Sequence, residues 1–297
     1  MKWLQRLYSR INRLRWPRSL RHMKKCSDSM VLAEGPNFRR LFWNGASLAD
    51  VIPSSSLASL VSSELHIIAS GPSVSDLPLD HFWAFAESAF CVNGAIHLFA
   101  EAPRGPRYFL ATDTDFLSER FSLVKLALAK AEFFITTCEG LSTIADKDPE
   151  VLKQAKAKLV SVDVVNHGYL RHSLPWSEFH HLHSGNSHLI LSDTHQSIGF
   201  SLDPQLGVFC GKTVTFRALQ LAVQFGAPKI SIWGMDLGGA RFYNEQGAPQ
   251  RSNLDKDYEL TIEPSFRLCL DPRIKNRVQI LNRSRKSRLP ADVLAQA

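Results

Sequence analysis

The chain has 297 residues, 44% of them hydrophobic, and a net charge of +7. That length suits one large or two small domains, and the apolar content excludes an intrinsically disordered chain. Five cysteines (26, 91, 138, 210 and 269) without close pairs give no zinc or disulfide framework and suit a reducing compartment, and no apolar run reaches the roughly 20 residues of a membrane-spanning helix. No signal-peptide core is visible at the N-terminus.

The charge is concentrated at one end. Nine of the 35 basic residues (Lys2, Arg6, Arg10, Arg13, Arg15, Arg18, Arg21, Lys24 and Lys25) fall in residues 1–25 with no acid, leaving 26 positive and 28 negative in the remainder. Trp3, Leu4, Leu7, Ile11 and Leu14 follow helical spacing with arginines on the other side, and Trp16-Pro17 is expected to end or kink that helix. A basic amphipathic helix of this kind suits an anionic membrane surface, each basic group contributing about 1 kcal/mol near it. A nucleic-acid arm and a solvated tail are the competing readings, and a mitochondrial presequence has the same composition. Residues 1–26 are therefore expected to be a membrane-surface segment with no nucleic-acid partner. Residues 27–64 are expected to be a connecting region, with a strand at Leu41–Trp43, a turn at Asn44-Gly45 and a short helix in Ser54–Ser63.

From Leu65 to about residue 290 apolar strands alternate with helical patterns, which predicts an α/β Rossmann-like, doubly wound and mostly parallel sheet. Strands are expected at Leu65–Ala69, Ala89–Val92, Tyr108–Ala111, Glu132–Thr137 and Leu159–Val162, with helices at Phe121–Ala131 and Asp146–Lys158. The first strand runs into Ser70-Gly71-Pro72-Ser73, the second into Asn93-Gly94 and the third into Thr112-Asp113. Each of these is ordinary turn chemistry taken alone. Together with Asp236 they set Ser70, Asn93 and Asp113 just past buried strands, along the edge where open α/β sheets bind ligands.

Seven of the eleven histidines lie between His167 and His195. That stretch has no clear periodicity and is expected to be an insertion or lid over about 167–198. His180, His181 and His183 lack a completing Cys or acidic ligand, so a metal site is not expected there, and a general-base role suits one histidine better.

Gly207–Glu245 carries the densest pattern. Val214, Ala218, Leu221 and Phe225 form a helical stripe, Gly226 and Pro228 end it, and Ile230–Trp233 is a short buried strand leading into Gly234-Met235-Asp236. Gly211-Lys212-Thr213 precedes the helix, where free N–H groups favour an anion and Thr213 is an N-cap residue. It is not a standard ATP-binding loop, because the required earlier glycine falls at Leu206. Pro264–Leu270 then resumes a helix, and a last strand at Val278–Leu281 leads into the basic run Asn282–Arg288, either a charged tail or a contact for a phosphate.

IIASGPS (67–73), CVNGA (91–95), ATDTDF (111–116), GKTVTFRALQLAVQFGAPKISIWGMDLGGARFYNE (211–245) and LNRS (281–284) resemble, in that order, the bacterial CMP-sialic-acid sialyltransferase-like superfamily. GMDLGGARFYNEQG and the SNLDKDYE…PSFR pattern are similar to the lipopolysaccharide core family that adds a third Kdo (3-deoxy-manno-octulosonic acid). The resemblance covers about Leu65–Ser284 and is densest in 199–268. It implies a CMP-activated ulosonic acid donor as co-substrate, an inner-core lipopolysaccharide acceptor, no cofactor and no obligatory metal, at the cytoplasmic face of the bacterial inner membrane. Asp236, Asp113 and Tyr243 are the candidate catalytic residues, the resemblance implying that Asp113 lies in the donor loops and that Tyr243 and the loop after Asp236 face the phosphate and sugar. The donor would meet Ser70, Gly71, Pro72, Ser73, Asn93, Gly94, Gly211, Lys212, Thr213, Gly234, Arg241, Asn282 and Ser284. The sialyltransferases place a histidine base after the last of these loops, and this chain has no histidine beyond His195. Asp113, Asp115, Asp236, Glu245 and a lid histidine all stay open as the base. A related pterin diphosphokinase family shares the sheet-edge motifs, and its chemistry would use a divalent ion, for which Asp113 and Asp115 are candidates.

Overall fold

A computed structural model describes residues 17–35, 37–238, 241–242 and 254–296. Its strands are β1 (Met30–Glu34), β2 (Arg39–Trp43), β3 (Ala46–Pro53), β4 (Leu65–Ile68), β5 (Ala89–Val92), β6 (Tyr108–Leu110), β7 (Phe133–Thr136), β8 (Lys158–Ser161), β9 (Leu189–Leu191), β10 (Gly199–Ser201), β11 (Lys229–Trp233), β12 (Gln279–Asn282) and β13 (Ala295–Gln296). Eleven of them form one sheet in the order β1-β2-β3-β8-β7-β6-β5-β4-β11-β12-β13. Within this sheet every pairing from β3 along to β13 is parallel, and β2 pairs antiparallel with β1 and with β3; β9 and β10 form a separate antiparallel pair.

The parallel strands are short and apolar because both faces are covered. Every residue of β5 and of β7 is buried, as expected where helices pack on both sides. Two separate apolar clusters result. One gathers Phe90, Tyr108, Phe216, Phe225 and Ile230, and the other Phe82, Phe109, Phe134, Leu141 and Leu159. The fold is thus the doubly wound α/β architecture that the alternation predicts.

The chain leaves β4, winds outward through β5, β6 and β7 to β8, then returns to place β11 on the other side of β4. The crevice at the C-terminal ends of β4 and β11 is the topological switch point of the sheet, where such folds bind ligands.

Three stretches differ from expectation. Residues 27–64 are more than a connection: β1–β3 form a meander that extends the sheet, and Asn44 (φ 48°) and Gly45 (φ 80°) make its two-residue turn. The helix expected at Asp146–Lys158 is two helices, Cys138–Lys147 and Pro149–Lys153. The first is hard to see in sequence because its buried side includes Gly140 and Ser142, small residues that admit a close approach to Thr136 and Leu117.

The third is the histidine-rich stretch, which contains the helix Trp176–His183 and the β9–β10 hairpin. Phe179 is fully buried against Trp176 and Phe209. Arg273, ahead of β12 on the side where the strands begin, donates from Nη1 to the Leu189 carbonyl at 3.1 Å. The hairpin is therefore anchored away from the strand ends and is not a lid over them. Buried Gln220 and Gln224 fasten the neighbouring 199–209 segment to the helix Val214–Gln224. Gln220 Oε1 accepts from Ser201 and Phe209, and Gln224 Nε2 donates to the carbonyls of Ser201 and Gly207.

The basic helix expected over residues 1–16 lies outside the described residues. Pro17 is extended, and Arg18–Lys25 is a 3-10 helix.

Candidate active site

The switch point is built as a knot of backbone and side-chain bonds between the loops after β4, β11 and β12. The Ala69 N–H donates to the Trp233 carbonyl and the Gly71 N–H to the Gly234 carbonyl, both at 2.8 Å, which continues the β4–β11 ladder past the strand ends. Gly234 takes φ +68°, and a Cβ there would meet Val74 and the Ala69 carbonyl. Gly71 is equally constrained, since a Cβ on it would run into Asp236 Oδ2 and the Gly234 carbonyl. The glycines are there so that two loops can touch.

Asp236 sits at the centre. It is 3% exposed, and its Oδ2 accepts the Ser73 backbone N–H at 2.9 Å. Among the described residues its Oδ1 has no hydrogen-bond partner, nor has the buried Ser73 Oγ. A buried carboxylate oxygen without a donor is costly, which singles out Asp236 as a candidate for contact with a bound molecule.

Asn282 and Ser284 hold the turn in place from below. The Asn282 Oδ1 accepts the Ser284 N–H at 3.0 Å. Ser284 Oγ accepts the Met235 N–H at 2.7 Å and donates to the Ile232 carbonyl at 3.4 Å. The Ser284 hydroxyl thereby makes both of its bonds within the fold. The Asn282 Nδ2 is buried without a partner among the described residues. On the open side, Arg241 Nη1 donates to Ser70 Oγ at 3.3 Å and the Phe242 N–H to the Ser70 carbonyl at 3.3 Å. This brings a guanidinium to the first loop. Tyr243 and Glu245 lie outside the described residues.

The other expected residues continue along the same edge. Asn93 follows β5 at φ +49°, a left-handed conformation that asparagine tolerates better than most residues, and its Oδ1 is buried without a partner among the described residues. Gly94 is buried in the 3-10 helix Asn93–Phe99. Asp113 follows β6 and caps the helix Thr114–Glu119, its Oδ1 accepting the Asp115 N–H at 2.9 Å. β6 lies three strand spacings from β11, roughly 14 Å at the usual separation. Asp113 and Asp236 therefore do not act on one proton. Among the described residues no group of three or more His, Cys, Asp or Glu is placed to hold a metal ion.

Gly211 (φ +53°) and Lys212 (φ +55°) form a left-handed pair ahead of the helix Val214–Gln224. Thr213 occupies the N-cap position, but its side chain makes no capping bond, so the helix start keeps its N–H groups for another acceptor. Burial raises the neighbouring Cys210 thiol, but the Arg217 guanidinium beside it and the Lys212 N–H outweigh that and draw its pKa below the usual thiol range.

Sequence reasoning missed His97. It is exposed on the helix that begins at Asn93, and its ring centroid stands 6.3 Å from that of Phe242.

A family model described as 3-deoxy-D-manno-octulosonic acid transferase WaaZ matches residues 48–296. Comparison with curated proteins and with solved structures gives no match. The matched span contains the whole switch point, from Ser70 to Ser284, and most of the chain. This chain therefore belongs to the WaaZ family of Kdo transferases, the glycosyltransferases that act in lipopolysaccharide core biosynthesis.

Proposed function

We propose that the donor is CMP-activated Kdo and that the acceptor is a hydroxyl of the lipopolysaccharide inner core. The observation that carries this reading is the buried, half-partnered Asp236 at the switch point, within reach of the loops after β4, β11 and β12. The nucleotide lies along the Ser70–Ser73 and Asn93-Gly94 loops, where Asn93 Oδ1 has no partner among the described residues and the glycines allow close approach. Arg241 and the uncapped helix start at Gly211–Thr213 face the phosphate.

The acceptor oxygen forms its bond to the anomeric carbon as the bond from that carbon to the phosphate oxygen breaks. CMP leaves as the anion, and the acceptor proton passes to a base. Positive groups around the phosphate stabilise the charge that develops on the leaving group. Asp236 Oδ1 is the base in this scheme, and inversion at the anomeric carbon follows from a single displacement. The scheme requires no obligatory metal, since Arg241 and the helix start supply positive charge at the leaving phosphate. Asp113, bound to its own helix, orients the edge of the donor site.

Residues 1–25 carry the protein to the anionic surface in which the acceptor is anchored, as a peripheral protein of the cytoplasmic face. The test of the donor is isothermal titration with CMP. Asn93→Ala is expected to weaken binding about tenfold, as for a lost hydrogen bond, with the chain still folded and the melting temperature lowered only by the strain of alanine at φ +49°. Equal affinity in the variant removes the β5 loop from the donor site.

A further inference from the structure

We propose that Arg18–Lys25 and the 167–172 turn form one bilayer-facing surface on the same sheet edge as the donor loops, and that its occupant is an anionic lipid surface. The proposal rests on the preceding reading only in taking the acceptor to be membrane-anchored.

The position of the N-terminal segment is fixed by named contacts. The helix Cys138–Lys147 starts directly past the C-terminal end of β7. In it, Ser142 Oγ accepts the Ser27 N–H at 2.7 Å, and Cys138 Sγ lies 3.8 Å from Cys26 Sγ. The 167–172 turn starts a few residues past the C-terminal end of β8 and is closed by a bridge between Gly168 and Arg171. The two pieces are joined: the Ser173 N–H donates to the Ser19 carbonyl at 2.7 Å, Ser19 Oγ meets His172 Nδ1 at 2.5 Å, and His22 Nε2 meets the Gly168 carbonyl at 2.9 Å. Both pieces therefore sit at the ends of β7 and β8, on the edge that carries Ser70, Asn93 and Asp236.

Leu170 stands at the tip of this turn. It is 57% exposed and takes φ +54°, a conformation strained for a leucine and free for a glycine. A lone exposed leucine needs no explanation. This one is flanked by exposed Arg171 and His172, and exposed Arg21 lies on the joined segment. Residues 1–25, Arg21 among them, hold nine basic side chains and no acid in sequence. An apolar tip beside Arg171 and Arg21 matches an anionic interface, in which the leucine enters the acyl boundary and the guanidinium groups meet the headgroups. No described helix is long and apolar enough to cross a membrane, so this contact is with the surface. Bound this way, the protein turns its strand ends toward the bilayer, where a lipid-anchored acceptor meets them.

The test uses the full chain and phosphatidylcholine vesicles with and without phosphatidylglycerol. Binding is read by sedimentation, and hydrogen exchange reports which segments the vesicles cover. The parent is expected to bind only the anionic vesicles and to gain protection at 167–172. Leu170→Asp and Leu170→Gly should each lower vesicle partitioning about fivefold or more, and Arg21→Glu by a similar factor. Leu170→Gly also relieves the φ strain, so its loss of binding does not reflect misfolding. All three should keep parental turnover on a soluble acceptor analogue and lose turnover on vesicle-embedded acceptor in step with binding. Parental partitioning by both Leu170 variants, or protection confined to residues before Pro17, would overturn the proposal. Equal binding to neutral vesicles would overturn it too. If the parent shows no turnover on soluble acceptor, it is the functional reading that fails, and the vesicle results still decide this one.

Discussion

Asp236 Oδ2 accepts the Ser73 N–H at 2.9 Å while its Oδ1, 163 positions away in sequence from that serine, has no partner among the described residues. One carboxylate thus closes the β4 and β11 loops with one oxygen and leaves the other buried without a partner among the described residues. Asp236→Asn keeps an oxygen for Ser73 and removes the charge. Turnover is expected to fall roughly a hundredfold or more, in the range of lost general-base assistance, with the melting temperature nearly unchanged. Near-normal turnover would make Asp236 a turn residue and move the search to His97.

Gly71→Ala tests the contact itself. The added methyl would collide with Asp236 Oδ2 and the Gly234 carbonyl, forcing the two loops apart. Overpacking of this kind costs about 1–3 kcal/mol, so a lowered midpoint in urea should accompany loss of CMP binding. A variant with parental stability and affinity would show that the loops do not meet as described.

Ser284→Ala distinguishes positioning from contact. It strips the buried Met235 N–H of its acceptor, at a cost of about 1–3 kcal/mol, and loosens the turn that carries Asp236. The expected kinetic signature is a fall in kcat with little change in donor KM. A rise in donor KM alone would mean that Ser284 touches the donor after all.

His167 supplies a pH test. Burial, reinforced by the charge of His22, lowers its pKa from 6.5 to about 4. The unfolded chain therefore binds the proton more readily between those values, so the contribution to stability is intact above pH 6.5 and is lost as pH falls toward 4. His167→Gln should flatten the stability profile across that window, measured as urea midpoints. An unchanged slope would mean that the imidazole is not buried against the His22 ring 4.8 Å away.

Much of this was legible in sequence for a plain reason. β4, β5, β6, β7 and β11 are apolar runs buried on both faces, and each ends at a polar or glycine-containing step, so both strands and site edge stand out. What stayed hidden depends on partners distant in the chain. The helix Cys138–Lys147 buries glycine and serine in place of leucine. Ser284 looks like part of a basic tail until its hydroxyl is seen to hold Met235. Trp176–His183 and the β9–β10 hairpin carry too few apolar positions to show a period, so histidines dominated the pattern and suggested a lid.

The central claim is transfer of Kdo from CMP-Kdo at the Asp236 edge. It is tested most directly by incubating the purified protein with CMP-Kdo and truncated inner-core lipopolysaccharide, following product mass and released CMP together. The account predicts a product heavier by one Kdo residue, one CMP released per transfer, no requirement for added magnesium, and loss of both signals in Asp236→Asn. An unmodified acceptor with intact CMP-Kdo, or full activity in Asp236→Asn, would contradict it.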